Sequence, residues 1–403
     1  MTSVVELERS GAERSSALAR CTGDAAAFLE RTWGRRALVH SSADARGFAV
    51  LLSLDDVDRL LSTTALRTPS FRLVKAGESI PESAYTRSGT TGGKPVSGIA
   101  DPTRVFQRFR EGATIVLQGL HRYHEPVARF VRDLELELGH PCQVNAYITP
   151  PGAQGLELHS DGHDVFVLQA FGRKSWEVHA APREEERGPV RAEVASGDTI
   201  YMPKGTPHAA RAQESTSGHL TVGVHVTPWR ELVSAAFRRV VASDPSFDEP
   251  VPAGWTADPS EFADELAARI ARAGEALSGV DAEDVVSERW TEFLSSRASL
   301  LRGGLADQLE LERIGDDSLL ERRPDSVLVI RTLQDRLLVL LGDRRLEMPL
   351  WLEPAMLVIA AEPRFRPMDL EASVADEASR LVLVRRLVRE GLLQRAGSGH
   401  PSP

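Results

Sequence analysis

The stretch NAYITPPGAQGLELHSDGHDVFVLQAFGRKSW, residues 145–176, determines how the rest of the chain is interpreted. It contains the triplet His159-Ser160-Asp161 between apolar-rich segments. Because side chains alternate along a strand, an H-x-D triplet at a strand end places His159 and Asp161 on one face and Ser160 on the other. A third ligand for an ion shared by these two side chains must therefore come from a different strand.

The run GDTIYMPKGTPHAA, residues 197–210, supplies the third side chain, His208. A short apolar strand is followed by prolines and a glycine, a pattern that predicts a rigid turn just ahead of the histidine. Two imidazoles and one carboxylate form the facial triad of non-haem Fe(II) oxygenases, which leaves metal positions open. In a chain with 11 histidines an isolated H-x-D is more often a structural histidine, so the turn is what favours a metal site.

The region around these motifs has the spacing of strands and turns that is typical of an all-antiparallel structure. Between residues 143 and 228, short strands alternate with Gly and Pro turns: QVNAYIT, LELHSD, DVFVLQAFG, KSWEVH, TIYMPK and HLTVGVHV. This spacing predicts a barrel or double-sheet roll, whose mouth can hold a metal. The charged segment 181–193 is expected to be a solvated loop. Upstream, the Gly-, Ser-, Thr- and Pro-rich segment 79–97 predicts a long loop, and Asp24, Ser53 and Asp101 are expected to cap helices that buttress the core.

Taken together, these motifs resemble those of the JmjC-type ribosomal oxygenases, which are cupin-fold Fe(II)/2-oxoglutarate protein hydroxylases. The matching residues are Asn145, the YITPPGAQG run, His159-Ser160-Asp161, DVFVLQ (164–169), Gly172-Arg173-Lys174, Trp176 and IYMPKGTPH (200–208). The resemblance implies an α+β chain built on a JmjC-type double-stranded β-helix (cupin or jelly-roll) barrel, as in a bacterial member of that family.

The same resemblance assigns roles to residues in the barrel. It implies that iron is held by His159, Asp161 and His208. It also implies that Lys174 pairs with the distal carboxylate of 2-oxoglutarate, and that Asn145 and Tyr147 line the same pocket. One departure concerns Gly223, which stands where a small hydroxyl residue is expected to help hold 2-oxoglutarate. Thr221, two residues earlier on the same face of that strand, is the candidate substitute.

Three further histidines lie close to these motifs. His121 and His124 occupy a predicted strand–helix junction, where a capping or hydrogen-bonding role is expected rather than metal binding. His163 follows the triplet closely. It either lines the substrate mouth or sits on a turn, and the turn is slightly favoured.

After Pro228 the pattern becomes helical. Three segments, beginning at residues 229, 259 and 281, carry apolar residues at helical spacing and predict a bundle. The resemblance implies a homodimer contact here, although an apolar stripe does not reveal which chain covers it. The chain is accordingly divided into a JmjC/cupin domain at 1–230, a helical region at 231–310 and a winged-helix-like domain at 311–403.

The last domain is predicted to contain a hairpin that turns at Gly342-Asp343, a segment 351–363 that is helix or strand, and a final helix. Arg380, Arg385, Arg386 and Arg389 lie on that helix. Acidic residues nearly balance basic ones across the domain, so a solvated helix face is expected and direct DNA binding is not.

Composition restricts the remaining possibilities. A chain of 403 residues suggests two or three domains, and a net charge of -10 argues against a general nucleic-acid-binding surface while permitting a basic protein partner. The two cysteines, Cys21 and Cys142, need not pair, and a reducing cytoplasm is the expected location. No apolar run approaches a membrane span, and the first residues do not form a signal peptide.

The functional hypothesis is an Fe(II)- and 2-oxoglutarate-dependent dioxygenase that hydroxylates a side chain of a protein or peptide, such as a ribosomal protein, and releases succinate and CO2. One alternative keeps this chemistry but acts on a small metabolite or a natural-product peptide. Another is a non-catalytic cupin-fold binding protein. The H-x-D triad followed by a winged helix favours hydroxylation over N-methyl-lysine demethylation, by analogy alone.

Overall fold

The computed structural model places the chain in two compact units. The residues described are 4–5, 16–42, 44, 47–153, 157–212, 214–256, 259–324 and 326–397. One unit, here called the barrel unit, is Ala12–Val226, and the other, the C-terminal unit, combines Met1–Gly11 with Thr227–Pro403. The first element, β1 (Val4–Val5), belongs to the C-terminal unit by pairing.

The barrel unit begins with helices and continues mainly as strands. Its elements in chain order are α1 (Ala17–Thr22), α2 (Ala25–Arg31), β2 (Leu38–His40), α3 (Leu54–Thr63), β3 (Phe71–Lys75), β4 (Glu78–Ser79), β5 (Thr86–Thr91), β6 (Lys94–Ala100), α4 (Pro102–Arg110), β7 (Thr114–Leu117), α5 (Glu125–Leu138), β8 (Cys142–Thr149), β9 (Asp164–Phe171), β10 (Arg173–Val178), β11 (Val190–Ala195), β12 (Thr199–Met202), β13 (His208–Ala212) and β14 (Ser217–Val224).

Capping residues set the helix starts as the sequence predicted. Asp24 and Asp101 accept hydrogen bonds from the backbone at the starts of α2 and α4. Ser53 forms a reciprocal capping box with Asp56 at the start of α3. Each cap satisfies backbone N–H groups that a helix leaves without an internal partner.

Two antiparallel sheets form the roll. The larger has eight strands in the order β2-β12-β9-β14-β8-β7-β3-β4, and the smaller has three in the order β11-β10-β13. Alternate residues of β9 show the layering: Phe166 and Leu168 pack into the core beneath the helices, whereas Val165 and Val167 join the core with side chains of the smaller sheet. The predicted double-sheet roll is therefore confirmed.

The segment 79–97 was wrongly predicted to be a long loop. It contains most of a hairpin, in which β5 pairs with β6 around Gly92-Gly93. Both glycines have positive φ, 56° and 77°, a conformation that glycine adopts without steric cost. The hairpin was missed because its side chains are mostly exposed and lack apolar alternation, so that backbone pairing alone defines the strands.

The C-terminal unit is helical first and mixed afterwards. Its remaining elements are α6 (Trp229–Ser243), α7 (Pro259–Ser278), α8 (Ala282–Ser295), α9 (Gly304–Glu310), β15 (Leu320–Arg322), β16 (Val329–Thr332), β17 (Arg336–Leu340), β18 (Arg345–Pro349), α10 (Glu353–Ala361), β19 (Arg364–Phe365), α11 (Glu377–Arg389) and β20 (Leu393–Arg395). The strands form two small sheets, β1-β16-β17-β18 and β19-β15-β20.

Within this unit, the turn at Gly342-Asp343 joins β17 to β18, and the segment left open between helix and strand forms α10. The unit boundary at Val226 and Thr227 lies close to the predicted end of the barrel domain at 230. The further boundary near residue 310 stays a prediction, as do the winged-helix assignment and the dimer.

The arginines of α11 required one correction. Arg380 was expected on a solvated helix face, but it is buried and its guanidinium pairs with Asp316. Arg385 and Arg386 pair with Glu312 and Glu390. A helical period identifies which residues share a face, but it does not identify a carboxylate brought in from a distant loop.

Two observations concern the whole described chain. Cys21 and Cys142 are both buried and are not joined by a disulfide, so the expectation that they need not pair is confirmed. None of the helices in the described ranges combines the length and apolar character that crossing a bilayer requires.

Candidate metal centre

The three side chains of the predicted triad converge in the barrel unit. His159 and His208 form an isolated antiparallel bridge in which each backbone N–H donates to the other's carbonyl, at 3.1 and 2.8 Å. Their imidazole centroids lie 4.4 Å apart, and His208 Nε2 lies 3.6 Å from Asp161 Oδ2. One ligand atom from each of the three residues lies within 4.8 Å of the others, a spacing that a single ion can bridge.

Backbone acceptors orient both imidazoles. His159 Nδ1 donates to the Glu157 carbonyl at 2.7 Å, and His208 Nδ1 donates to the Thr206 carbonyl at 3.0 Å. In each ring Nε2 then carries the lone pair, as a metal ligand requires. Burial lowers the pKa of His208, which further favours the neutral imidazole.

The turn that carries His208 is anchored by Asp164. This carboxylate accepts from the Lys204 backbone N–H at 2.9 Å and from the Tyr201 hydroxyl, which in turn accepts from the Gly34 N–H at 2.8 Å. The Gly205 N–H donates to the Asp161 carbonyl at 3.0 Å. These bonds tie the predicted turn to the H-x-D segment, so that two distant parts of the sequence present one rigid ligand face.

Lys174 lies deep in the same barrel. Its side chain is buried, and its Nζ donates to Thr149 Oγ1 at 3.2 Å and lies 3.5 Å from His219 Nδ1. Among the described residues no carboxylate pairs with this ammonium group. Burial therefore lowers the pKa of Lys174 to about 7, and one of its three N–H donors has no protein acceptor in the described chain.

Aromatic side chains connect Lys174 to the triad. The Tyr147 ring stacks on His219 with centroids 5.1 Å apart and planes 6° apart. The Trp176 ring lies 5.4 Å from His219 and 6.0 Å from His208. The two ends of the site therefore share one barrel interior, lined by the same rings.

The Tyr147 hydroxyl lies among charged and polar groups. Burial raises the pKa of Tyr147, the positive charge of Arg72 and hydrogen bonds from Asn145 and Arg72 oppose that rise, and the negative charge of Asp161 adds to it. Asn145 also accepts a hydrogen bond from the Gly119 N–H at 3.0 Å. Asn145 and Tyr147, which the resemblance places in the pocket, are half-buried and lie two residues apart on β8.

Thr221 lies directly opposite Asn145 in the register of β14 and β8 and is half-buried. Within the described residues, however, the hydroxyl in contact with Lys174 belongs to Thr149. His219, two residues before Thr221 on β14, is the second neighbour of Lys174. Sequence reasoning missed both residues, although their alternation with Tyr147 and Thr221 along the two strands already placed them on the inner face.

The absence of a side chain at Gly223 has a structural reason. A Cβ at this position would lie 2.7 Å from Cε1 of His163. The His163 ring donates from Nδ1 to the Asp164 carbonyl at 3.2 Å and packs edge to face on His225, with centroids 5.3 Å apart. His163 therefore fills the space that a residue larger than glycine would need.

The two histidines excluded from the metal site have other partners, as predicted. The Val144 N–H donates to His121 Nδ1 at 3.1 Å, and His124 Nε2 lies 2.8 Å from the Leu51 carbonyl. Burial lowers the pKa of both imidazoles. They act as structural hydrogen-bonding groups in the barrel unit.

Comparison with known proteins agrees with this geometry. A sequence profile of the JmjC domain matches residues 121–232. Ribosomal oxygenase 1 of Gallus gallus is 26% identical over 247 residues, covering 56% of this chain and 40% of the relative. The human protein of that name is 28% identical over 226 residues, covering 52% and 34%. The bifunctional lysine-specific demethylase and histidyl-hydroxylase NO66 of Branchiostoma floridae is 32% identical over 163 residues, covering 38% and 26%.

Among solved structures, the ribosomal oxygenase YcfD of Escherichia coli is 20% identical and superposes with a TM-score of 0.50, covering 92% of this chain and 98% of its own. YcfD has also been solved in complex with cobalt and 2-oxoglutarate. The matched region spans less than half the length of each of these three curated relatives.

The fold and the site define a JmjC-domain protein of the cupin type. Within that class the matched domain and the curated relatives make the chain similar to the ribosomal oxygenases, whose motifs its sequence resembles.

Proposed function

We propose that the chain is an Fe(II)- and 2-oxoglutarate-dependent oxygenase that hydroxylates a side chain of a protein substrate and releases succinate and CO2. The observation that carries this proposal is a buried ammonium group without a counter-ion among the described residues, placed in the same barrel interior as a His/His/Asp ligand set. Leaving a cation buried and unpaired is unfavourable, so Lys174 is suited to binding an anion.

The triad fits iron by its chemistry. Two neutral imidazoles with free Nε2 lone pairs and one carboxylate form the donor set that non-haem Fe(II) enzymes use, and three ligands leave other positions of an octahedral ion open. When bound, iron and 2-oxoglutarate supply the oxidative decarboxylation with dioxygen that puts one oxygen atom into a C–H bond of the substrate and the other into succinate.

The protein's own residues bind and orient. Lys174 pairs with the distal carboxylate through its remaining N–H donor, while Thr149 and His219 hold the ammonium group from the other side. Asn145, Tyr147 and Thr221 line the path towards the metal. The buried interior strengthens the Lys174–carboxylate attraction, because few water dipoles screen it.

A protein substrate is supported by the relatives. Their names describe ribosomal oxygenases and a histidyl-hydroxylase, and we infer a ribosomal protein or a similar basic polypeptide as the target here. Mass spectrometry of ribosomal proteins incubated with the enzyme and both co-substrates tests this inference. We expect the mass of one added oxygen on a single side chain, and no such mark if the substrate is a small metabolite.

The core of the proposal is tested by 2-oxoglutarate turnover to succinate with added iron. We expect turnover by the wild type and its loss in His159→Ala and Asp161→Ala. Asp58→Ala, which removes an exposed carboxylate on α3, is the matched control and should retain turnover. Equal activity in the triad variants would refute the metal site, and iron uptake without any turnover would favour a non-catalytic binding protein.

We also propose a homodimer formed through the helical region, with a winged-helix-like domain after residue 310. Trp229, Val233 and Phe237 recur every four residues along α6 and are exposed, Trp229 by 81%, so they form an apolar stripe on one face. Sedimentation analysis should find a dimer in the wild type and a monomer in Val233→Glu. A wild-type monomer at micromolar concentration would contradict the dimer.

A further inference from the structure

The indole of Trp176 is a buried donor that the proposed reaction has not yet used. Trp176 lies on β10, two residues from Lys174 and two from Val178, and these three residues share the inner face of the strand. Its side chain is 5% exposed, and its Nε1 has no hydrogen-bond partner among the described residues. An indole nitrogen can only donate, and an unmade buried hydrogen bond is unfavourable.

The position of the ring is informative. Val178 is directly opposite the metal-site residue His208 in the register of β10 and β13, whereas Lys174 is opposite Ala212. Trp176 therefore lies between the level of the triad and the level of the buried ammonium group. Its ring centroid is 6.0 Å from that of His208 and 5.4 Å from that of His219, so it contacts both ends of the interior.

The neighbouring imidazoles direct ring nitrogens to other groups. His208 Nδ1 donates to Thr206 and its Nε2 faces Asp161. His219 directs Nδ1 towards Lys174. A ligand oxygen lying between the two ends of the barrel would satisfy the indole N–H, and the positive charge of Lys174 favours an anionic ligand there.

Building on the proposed function, we propose that Trp176 is a co-substrate-binding residue whose indole N–H donates to an oxygen of 2-oxoglutarate between the metal triad and Lys174. The indole adds a neutral, directional contact to the charge–charge contact of the lysine. It also selects for a ligand that carries an oxygen at that depth in the barrel.

The test uses the full-length protein with ¹⁵N-labelled tryptophan and Zn(II) as a diamagnetic occupant of the triad. Trp176→Phe removes the N–H, keeps an aromatic ring, and assigns the Trp176 indole resonance among those of the six tryptophans. We expect saturating 2-oxoglutarate to move that indole proton downfield, whereas Zn(II) alone leaves it in place. By calorimetry, Trp176→Phe should bind 2-oxoglutarate about tenfold more weakly or worse, as loss of a hydrogen bond to a charged group implies.

Trp33→Phe is the matched control. The Trp33 ring belongs to the barrel unit but stacks on His140 and Tyr201, outside the interior. The affinity of the Trp33→Phe variant for 2-oxoglutarate should therefore equal that of the wild type. If the wild type binds 2-oxoglutarate but the Trp176 resonance stays in place and the phenylalanine variant binds equally well, the role of Trp176 is refuted while the proposed function stands. If the Zn(II)-loaded wild type does not bind 2-oxoglutarate at all, both proposals fail.

Discussion

The affinity for 2-oxoglutarate should fall steeply as the pH rises from 6 to 9, because it depends on the protonation of one buried lysine. Burial, with no counter-ion in the part of the chain that the structure describes, lowers the pKa of Lys174 to about 7. A dicarboxylate pairs only with the ammonium form. The free protein loses that proton as the pH rises through about 7, whereas the complex retains it, so binding at higher pH must also take up a proton.

The magnitude follows from the fraction of protein in which Lys174 is protonated. With a pKa near 7 in the free protein, that fraction is about 90% at pH 6 and about 1% at pH 9. The dissociation constant for 2-oxoglutarate should therefore rise roughly 90-fold over this interval, with a limiting slope of about tenfold per pH unit. Both carboxylates of the ligand stay ionised throughout, so they do not contribute to the change.

Calorimetry with saturating Co(II) measures this dependence directly, and buffers of different ionisation enthalpy count the protons taken up. Lys174→Arg provides one control, since a guanidinium stays protonated across the range and should give a flat profile. Pyruvate, a keto acid without a distal carboxylate, provides another and should also show little dependence. A wild-type dissociation constant that is equal at pH 6 and pH 9 would refute the argument that Lys174 is an uncompensated buried cation.

Three further outcomes are expected. Lys174→Met should abolish 2-oxoglutarate binding and raise the stability of the ligand-free protein, because a lysine pKa lowered from 10.5 to about 7 costs about 4 kcal/mol of folding free energy at pH 7. Urea denaturation should show a smaller gain in the free energy of unfolding at pH 10 than at pH 7. Gly223→Ser should destabilise the protein by about 1–3 kcal/mol through overpacking against His163. Adding His163→Ala should restore part of that stability. Additive stability effects of the two substitutions would disprove the contact. Asp307→Asn should destabilise the protein by about 3–5 kcal/mol, because it leaves Arg323 without its buried partner in the C-terminal unit; a change within 1 kcal/mol in chemical denaturation would contradict this.

Much of the site could be anticipated because local rules govern it. The spacing of His159 and Asp161 and the turn before His208 each depend on residues close in sequence. The helix starts at Asp24, Ser53 and Asp101 are local in the same way. Their structural consequences follow from the period of a strand or from the hydrogen bond of a capping side chain.

Other features required contacts between distant residues. The hairpin formed by β5 and β6 depends on backbone pairing, which its polar side chains do not indicate. Arg380 is buried because a loop carrying Asp316 reaches it. A glycine is required at position 223 because the His163 ring occupies the space of a side chain there. Arg380 and Asp316, like Gly223 and His163, lie tens of residues apart, beyond the reach of any local period.

The sequence by itself determined the ligand types, the faces on which they lie and the roll that carries them, because side-chain chemistry and strand periodicity are properties of short segments. Only the tertiary structure decided what surrounds Lys174. Thr149 and His219 reach it from other strands, and no carboxylate accompanies them in the described chain. The charge state of a buried group depends on every neighbour and on the exclusion of water, and both arise from the folding of the whole barrel.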